Sequence, residues 1–191
     1  TGPANNVFVY SEDGPGLKQF RESGVKIYKV KMSSPFDAKA AFELKKIINK
    51  EKVGIVHAQF LRENFIAVLS KLLGANIKVI WTYHVDVSMG LLIRFANKIF
   101  TRFNHKVIAV SNFMKNSLID KGIRKDKIAV VYNGVDFPKK RTSNSAPKEI
   151  PNDFRIGIVG RLREEKGHEF LLKSLYKLKN ELMQQNWICY V

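Results

Sequence analysis

Residues 156–167 read Ile156-Gly157-Ile158-Val159-Gly160-Arg161-Leu162-Arg163-Glu164-Glu165-Lys166-Gly167. The β-branched apolar run at the start of this stretch predicts a strand that ends at Gly160, and the charged segment predicts a short loop. The apolar residues that follow have helical spacing; they are Phe170, Leu171, Leu175, Leu178 and Leu182. A strand, a loop and a helix in this order are typical of a parallel α/β sheet, which binds ligands at the carboxyl ends of its strands.

The charged loop has the chemistry of a phosphate site. Arg161 offers a guanidinium fork and Lys166 an ammonium group, while the next helix offers unpaired amides at its N-terminus. The loop has neither the GxxxxGKS/T nor the GxGxxG spacing of the common phosphate loops. Spacing alone therefore favours a solvated turn whose charges face water, and a diphosphate site is the alternative.

The composition favours a globular chain with an anionic partner. Of the 191 residues, 45% are apolar, which is ample for a core, and no uninterrupted apolar run is long enough to span a bilayer. The single cysteine, Cys189, falls in a predicted buried strand, so disulfides are not expected and a reducing cytoplasm fits. The start carries no signal-peptide pattern and lacks Met, so we do not expect Thr1 to be the native start.

The net charge of +16 is concentrated in one part of the chain. Residues 94–141 contain twelve Lys or Arg against three Asp and no Glu, a net charge of +9. A charge of this size predicts a phospholipid surface, a nucleotide, an anionic glycan or nucleic acid as the partner. The sequence has no helix-turn-helix, zinc-finger or aromatic RNA-binding motif, which argues against nucleic acid as that partner.

Apolar patterns alternate between strand and helix spacing through most of the chain. The predicted strands are residues 6–10, 25–30, 53–57, 78–83, 106–110 and 128–132, and the predicted helices are residues 16–22, 35–50, 63–73, 90–104 and 112–121. This alternation predicts an α/β fold with a Rossmann-like, doubly wound parallel sheet. Residues 136–152 interrupt it with three prolines and a polar run, which predicts an interdomain linker.

We therefore predict one domain over residues 1–137, a linker over residues 138–153 and the start of a second domain over residues 154–191. The second region holds only a strand, a helix and the start of another strand at residue 187. So few elements cannot close a core of their own.

Polar residues follow four predicted strands, where they would share one sheet edge. They are His57, His84, Ser111 and Asn133. Each also has a plain structural explanation. A histidine at a strand end is usually a satisfied structural residue, Ser111 suits a helix cap, and Asn133 with Gly134 suits a tight turn.

Taken together, these motifs resemble the retaining GT-B glycosyltransferases, the group-one family also called family four. The pattern G-R-L-x-x-x-K-G-x-x-x-L-L at residues 160–172 resembles the donor-phosphate loop of that family. The patterns T-x-H at residues 82–84, V-I-A-V-S at 107–111 and V-x-x-N-G-V-D at 130–136 resemble its N-terminal domain. The resemblance runs from about residue 53 to residue 172.

The resemblance implies a hexosyltransferase that transfers a sugar from a nucleotide-sugar to an acceptor with retention of configuration, using no metal or other cofactor. The expected acceptor is a cell-envelope glycan or a lipid-linked molecule. The implied residues are His84 for catalysis, Gly160, Arg161 and Lys166 for the donor phosphate, and His57, Ser111 and Asn133 as possible cleft residues. His57 corresponds less closely, because the second histidine position of the family is occupied here by Gln59.

Two parts of the family pattern are missing from the sequence. The first strand with its glycine-rich loop would precede Thr1, and the E-x7-E segment that grips the donor would follow Val191. We therefore expect this polypeptide alone to be inactive. One alternative is a non-catalytic GT-B-like subunit that binds a partner or a membrane, and the E-x7-E acids of the complete protein would distinguish it. A basic nucleic-acid-binding protein is the second alternative, and it would bind duplexes with a steep salt dependence.

Residues 90–106 predict an amphipathic helix with adjoining apolar and basic stripes. The apolar stripe contains Leu91, Phe95, Ile99 and Phe103, and the basic stripe contains Arg94, Lys98 and Arg102. One interpretation is a domain helix with a packed apolar stripe and a wet basic face. The other is an interfacial helix on the inner, cytoplasmic face of a membrane, with Phe95 and the surplus Phe100 entering the headgroup region. We predict this peripheral attachment through Arg94, Phe95, Lys98 and Arg102, since each cation near an anionic surface contributes about 1 kcal/mol.

Overall fold

The computed structural model describes residues 6–135, 154–182 and 187–190. The chain divides into two compact units, unit 1 over Thr1–Val135 and unit 2 over Asp136–Val191. The predicted linker, residues 138–153, and the predicted boundary at residue 137 lie outside the described residues.

Unit 1 is an α/β structure in which strands and helices alternate as the sequence predicts. Its strands are β1 (Val7–Tyr10), β2 (Lys26–Lys29), β3 (Ile55–Ala58), β4 (Lys78–Tyr83), β5 (Lys106–Ala109) and β6 (Ile128–Val130). Its helices are α1 (Leu17–Glu22), α2 (Ala38–Glu51), α3 (Leu61–Leu72), α4 (Leu91–Phe100) and α5 (Asn112–Asp120). The strands β1 and β2 form a parallel pair of their own.

The larger sheet of unit 1 is parallel throughout, with the strand order β3-β4-β5-β6. In its register His57 pairs with Ile80, Ile80 pairs with Lys106, and Val107 pairs with Ile128. Because all four strands run in the same direction, their carboxyl ends lie at one edge of the sheet. The predicted fold class is therefore confirmed.

Buried apolar residues form two clusters against this sheet. The first joins α2 and α3 to β4 and includes Leu44, Ile66 and Val79, and the second includes Trp81 and Leu118. A parallel strand covered on both faces is apolar along most of its length. This burial explains why β4 and β5 are easy to recognise in the sequence.

Two helix boundaries differ from the predictions for local reasons. Helix α2 begins at Ala38 rather than at residue 35, because the Asp37 carboxylate accepts a hydrogen bond from the Ala40 amide at 2.9 Å and caps the helix. Helix α4 ends at Phe100, and Thr101–Phe103 form a separate 3₁₀ turn, although one continuous helix was predicted over residues 90–104. Tightening of a last turn in this way is common at helix C-termini.

Unit 2 contains the parallel strands β7 (Phe154–Gly157) and β8 (Trp187–Tyr190), with helix α6 (His168–Leu182) between them. The strand β7 ends at Gly157, three residues before the predicted end at Gly160. Cys189 lies in β8 opposite Ile156, within the strand predicted there, and its side chain is half-buried. On α6 the predicted apolar stripe is mostly exposed, and Leu175 is its one buried member among the side chains described. The described part of unit 2 has too few elements to cover the other apolar side chains of this stripe.

Candidate functional site

The carboxyl edge of the larger sheet carries two of the predicted site residues side by side. His57 is the third residue of β3, and His84 immediately follows β4. The parallel register of β3 and β4 brings both rings to the same edge, as the strand-end pattern predicts.

His57 is bonded within the sheet. Its Nε2 lies 2.6 Å from the hydroxyl of the buried Thr82, a diagonal neighbour on β4. Although part of the ring is open to water, desolvation lowers the pKa of His57, and the nearby His84 lowers it further. The lowered pKa favours the neutral form of His57, and its Nε2 is hydrogen-bonded within the sheet.

His84 is held differently, at the end of its strand. Its Nε2 lies 2.8 Å from Oε1 of Gln59, the first residue after β3. The ring of Phe60 lies 6.1 Å from the His84 ring at an angle of 48°. No role was predicted for Gln59, which occupies the second histidine position of the family pattern.

The other two edge residues have structural surroundings. The Ser111 hydroxyl accepts a hydrogen bond from the Met114 amide at 3.1 Å and caps α5, which is the plain alternative considered for it. Asn133 lies exposed after β6. Beside it, the Asn112 amide donates to the Tyr132 hydroxyl at 3.0 Å, which links the start of α5 to the segment after β6.

A polar cluster that the sequence did not predict lies next to His84. One oxygen of Asp86, Oδ1, accepts hydrogen bonds from the Tyr83 hydroxyl at 2.7 Å, from the Ser117 hydroxyl at 2.9 Å and from the Lys121 ammonium. These bonds, that from Lys121 first, lower the pKa of Asp86 to about 2. Asp86 therefore fastens the segment after His84 to helix α5.

The same cluster borders an open groove between α4 and α5. The groove has a volume of about 370 Å³ and is lined by Asp86, Arg94, Phe113, Asn116, Ser117, Asp120 and Lys121. Its two cations and two carboxylates balance each other.

The loop of unit 2 presents its cations to water. Arg161 lies 3.7 Å from Glu165, and both side chains are well exposed. Lys166 is exposed and forms no ion pair within the described residues. A Cβ at Gly160 would lie 3.5 Å from the side chains of Lys166 and His168, which is an ordinary van der Waals contact.

The loop is joined to α6 by a left-handed residue. Gly167 has a φ of +74°, which favours glycine and sets the entry into the helix. His168 follows as the first residue of α6 and is buried, and its Nδ1 has no hydrogen-bond partner among the residues that the structure describes. The Arg–Lys loop therefore precedes a helix N-terminus, as predicted.

Helix α4 is turned with its apolar side outward. Leu92 is 86% exposed and Phe95 is 65% exposed, whereas Asn97 is 1% exposed. The remaining predicted membrane residues, Arg94, Lys98 and Arg102, are exposed as well. The interpretation in which the apolar stripe packs into the domain is therefore wrong at the start of this helix.

Phe100 corrects another part of the membrane prediction. Its ring stacks on that of Phe65 at 4.5 Å and meets Phe36 edge-on at 5.8 Å. It packs against the first buried cluster. Phe100 therefore belongs to the core of unit 1 and does not reach a headgroup region.

The described residues contain no group of three or more His, Cys, Asp or Glu side chains that could hold a metal ion. None of the helices in that part of the chain is long and apolar enough to cross a membrane.

Comparison with known proteins gives relatives that share this architecture. The capsular polysaccharide biosynthesis glycosyltransferase CapM of Staphylococcus aureus is 25% identical over 187 residues, which cover 88% of this chain and 49% of that protein. A glycosyltransferase structure from Rickettsia africae superposes with a TM-score of 0.74 and 24% identity, covering 96% of this chain and 50% of the other. The structure of Anabaena Alr3699/HepE in complex with UDP superposes with a TM-score of 0.70 and 15% identity, covering 97% and 61%.

The chain spans about half the length of the curated relatives that it matches. The two structural matches, both under 25% identical, show that the chain shares their fold. Residues 4–138, most of the chain, match the model of the family described as Glycosyltransferase Family 4. The chain therefore belongs to Glycosyltransferase Family 4.

Proposed function

We propose that the complete protein transfers a hexosyl group from a nucleotide-sugar to an acceptor with retention of anomeric configuration. The observation that carries this proposal is the loop before α6, where Arg161 and Lys166 face water. Their one ion pair within the described residues is the 3.7 Å contact of Arg161 with Glu165. Cations that are not neutralised internally suit a diphosphate at a helix N-terminus. The relative from Anabaena was solved with UDP-glucose, which supports a nucleotide-sugar as the donor.

In this proposal each unit has its own role. Residues 154–191 begin the nucleotide-sugar domain, in which Gly160, Arg161 and Lys166 hold the diphosphate. Residues 1–137 form the acceptor-side domain, in which His84 faces the donor sugar. No cofactor is required, because the nucleotide-sugar is consumed as a substrate.

The chemical contribution of the loop is electrostatic. As the bond between sugar and diphosphate breaks, negative charge grows on the leaving group, and fixed cations stabilise that charge most strongly in the transition state. An exposed loop meets its ligand without breaking strong internal ion pairs first. Arg161 contributes a planar fork that can contact two phosphate oxygens, and Lys166 contributes a point charge.

The test removes these charges one at a time in the complete protein. Arg161→Ala and Lys166→Ala are each expected to raise the activation free energy by about 2–4 kcal/mol, the range for loss of one charge-stabilising donor. Steady-state release of nucleoside diphosphate from a panel of nucleotide-sugars measures the effect, and the anomeric configuration of the product tests retention. Arg163→Ala removes a cation from the same loop outside the motif and serves as the matched control. If Arg161→Ala and Lys166→Ala turn over as fast as the control, the loop is a solvated turn and does not bind the diphosphate.

The proposed acceptor is a cell-envelope glycan or a lipid-linked molecule, reached from the cytoplasmic face of a membrane. The outward apolar face of α4 supports this, because Leu92 and Phe95 are exposed next to the cations Arg94 and Lys98. An exposed apolar patch rimmed by cations is typical of a helix that lies on an anionic lipid surface. The capsular polysaccharide role of the relative from Staphylococcus aureus is consistent with such an acceptor.

A further inference from the structure

Two side chains meet at the ends of the neighbouring strands β3 and β4. Ala58, the last residue of β3, pairs with Trp81 on β4, so Gln59 and His84 leave the sheet at adjacent points of its carboxyl edge. His84 Nε2 lies 2.8 Å from Gln59 Oε1. The two residues are 25 positions apart in the sequence, and the register of the parallel strands brings them together.

We propose that Gln59 is a positioning residue that holds His84 as its Nε2–H tautomer and leaves the Nδ1 lone pair free for the substrate. The proposal rests on the proposed role of His84 at the donor sugar. It assigns to Gln59 no contact with the substrate of its own.

The orientation of the Gln59 amide, whose oxygen faces the ring, sets the direction of this hydrogen bond. An amide oxygen can only accept, so the ring nitrogen that faces it must carry the proton. In a neutral imidazole the other nitrogen is then an acceptor. Within the described residues the His84 ring forms no second hydrogen bond, and its aromatic contact is with the ring of Phe60.

A free Nδ1 lone pair favours one kind of substrate atom over another. It can accept a hydrogen bond from a sugar hydroxyl, whereas a phosphate oxygen without a proton has none to offer. The arrangement therefore directs the Nδ1 atom of His84 toward a hydroxyl group. Phosphate binding is left to the cations of the other loop.

His57 provides a contrast within the same edge. Its Nε2 faces the hydroxyl of Thr82 at 2.6 Å. Because a hydroxyl can both donate and accept, that contact is compatible with either tautomer of His57. Only the pair of His84 with Gln59 restricts the position of the proton.

The experiment reads the ring nitrogens directly. In the complete protein labelled with ¹⁵N-histidine, spectra at about pH 9 show the neutral rings, since an ordinary histidine has a pKa near 6.5. For His84 the proposal expects a protonated Nε2 and an unprotonated Nδ1. The His84→Gln variant assigns the signals, and the His57 signals are the internal reference. A proton on Nδ1 of His84 in the wild-type protein would overturn the proposal.

Variants at position 59 then test the positioning role. Gln59→Leu removes the acceptor and is expected to admit the second tautomer of His84 and to lower kcat on the order of 10-fold, with a smaller change in KM for the donor. Gln59→Glu keeps an oxygen acceptor and, unlike Gln59→Leu, is expected to retain the single tautomer and most of kcat. Gln19→Leu makes the same chemical change on the exposed face of α1 and is the matched control.

The outcomes separate this proposal from the one on which it rests. If His84→Ala retains normal turnover, the role of His84 in transfer is rejected, and the nitrogen signals still decide whether Gln59 fixes its tautomer. If His84→Ala is inactive while Gln59→Leu keeps both the single tautomer and normal kcat, the positioning role of Gln59 is rejected.

Discussion

Helices α2 and α4 both carry an apolar and a basic stripe, but of the two only α2 buries its apolar stripe. Helix α2 buries Leu44, which is 6% exposed, and leaves Lys46 in water. Helix α4 buries the amide of Asn97 and leaves Leu92 and Phe95 in water. Amphipathic spacing therefore predicts that a helix forms and that it has two faces, but what covers each face decides which one points inward.

Truncating one leucine on each helix should give the largest difference. Leu44→Ala removes side-chain volume from the first buried cluster and is expected to lower the free energy of unfolding by about 2–5 kcal/mol. Leu92→Ala on α4 is expected to change it by less than about 0.5 kcal/mol, since little of that side chain is buried. Chemical denaturation of both variants measures the two values. Equal losses would mean that α4 packs with its apolar face inward in solution.

Removing cations from α2 or from α4 should have different effects on binding to anionic membranes. Replacing Arg94, Lys98 and Arg102 together by Gln is expected to weaken binding to anionic vesicles by up to about 3 kcal/mol, on the order of 100-fold, at about 1 kcal/mol per cation. Liposome co-sedimentation at low salt measures the affinity, and added salt should weaken wild-type binding as well.

A triple variant on α2 is the control for this measurement. Lys39, Lys46 and Lys50 are exposed on that helix, and replacing them by Gln makes the same change in net charge. Their loss should affect vesicle binding much less if α4 is the surface that docks. Equal effects of the two triple variants would show that binding depends on overall charge. Equal binding to neutral and anionic vesicles would mean that the basic residues bind an anionic glycan instead.

Acid should weaken the attachment of the segment between β4 and α4, where Asp86 lies. This is the smallest of the expected effects. The folded-state pKa of Asp86 is lowered from 3.8 to about 2, so its hydrogen bonds stabilise the fold above about pH 4 and are lost as the pH falls through 2. We expect this to contribute about 1 kcal/mol, discounted because 33% of the side chain is exposed. Unfolding of the wild type and of Asp86→Asn at pH 5 and pH 2.5 measures it. The same acid-induced loss in both would show that Asp86 does not fasten this segment.

The fold of unit 1 could be predicted from the sequence because its signals are local. The apolar runs of β4 and β5 and the serine at position 111 identify strands and a helix cap without knowledge of the neighbours. The outward face of α4 could not be predicted in this way. Phe95 and Phe100 have equal hydrophobicity, and only the stacking of Phe100 on Phe65, 35 residues earlier, distinguishes the buried ring from the exposed one.

The candidate site was predictable only in part for the same reason. Strand ends place His57 and His84 at one edge, because parallel register follows from the alternation of elements. The partners that define their chemistry come from other elements. Gln59 reaches His84 across 25 residues, and Lys121 reaches Asp86 across 35 residues. Neither pair has a local sequence signal.

The outward apolar face of α4 also has a consequence for the protein in bulk water. At low ionic strength the net charge of +16 keeps copies of the chain apart. At 1 M salt the Debye length falls to about 3 Å, so this repulsion no longer prevents one exposed Leu92 and Phe95 patch from meeting another. Salt strong enough to weaken the proposed membrane attachment would thus promote precipitation, and a mild detergent that covers the patch would keep the protein dispersed.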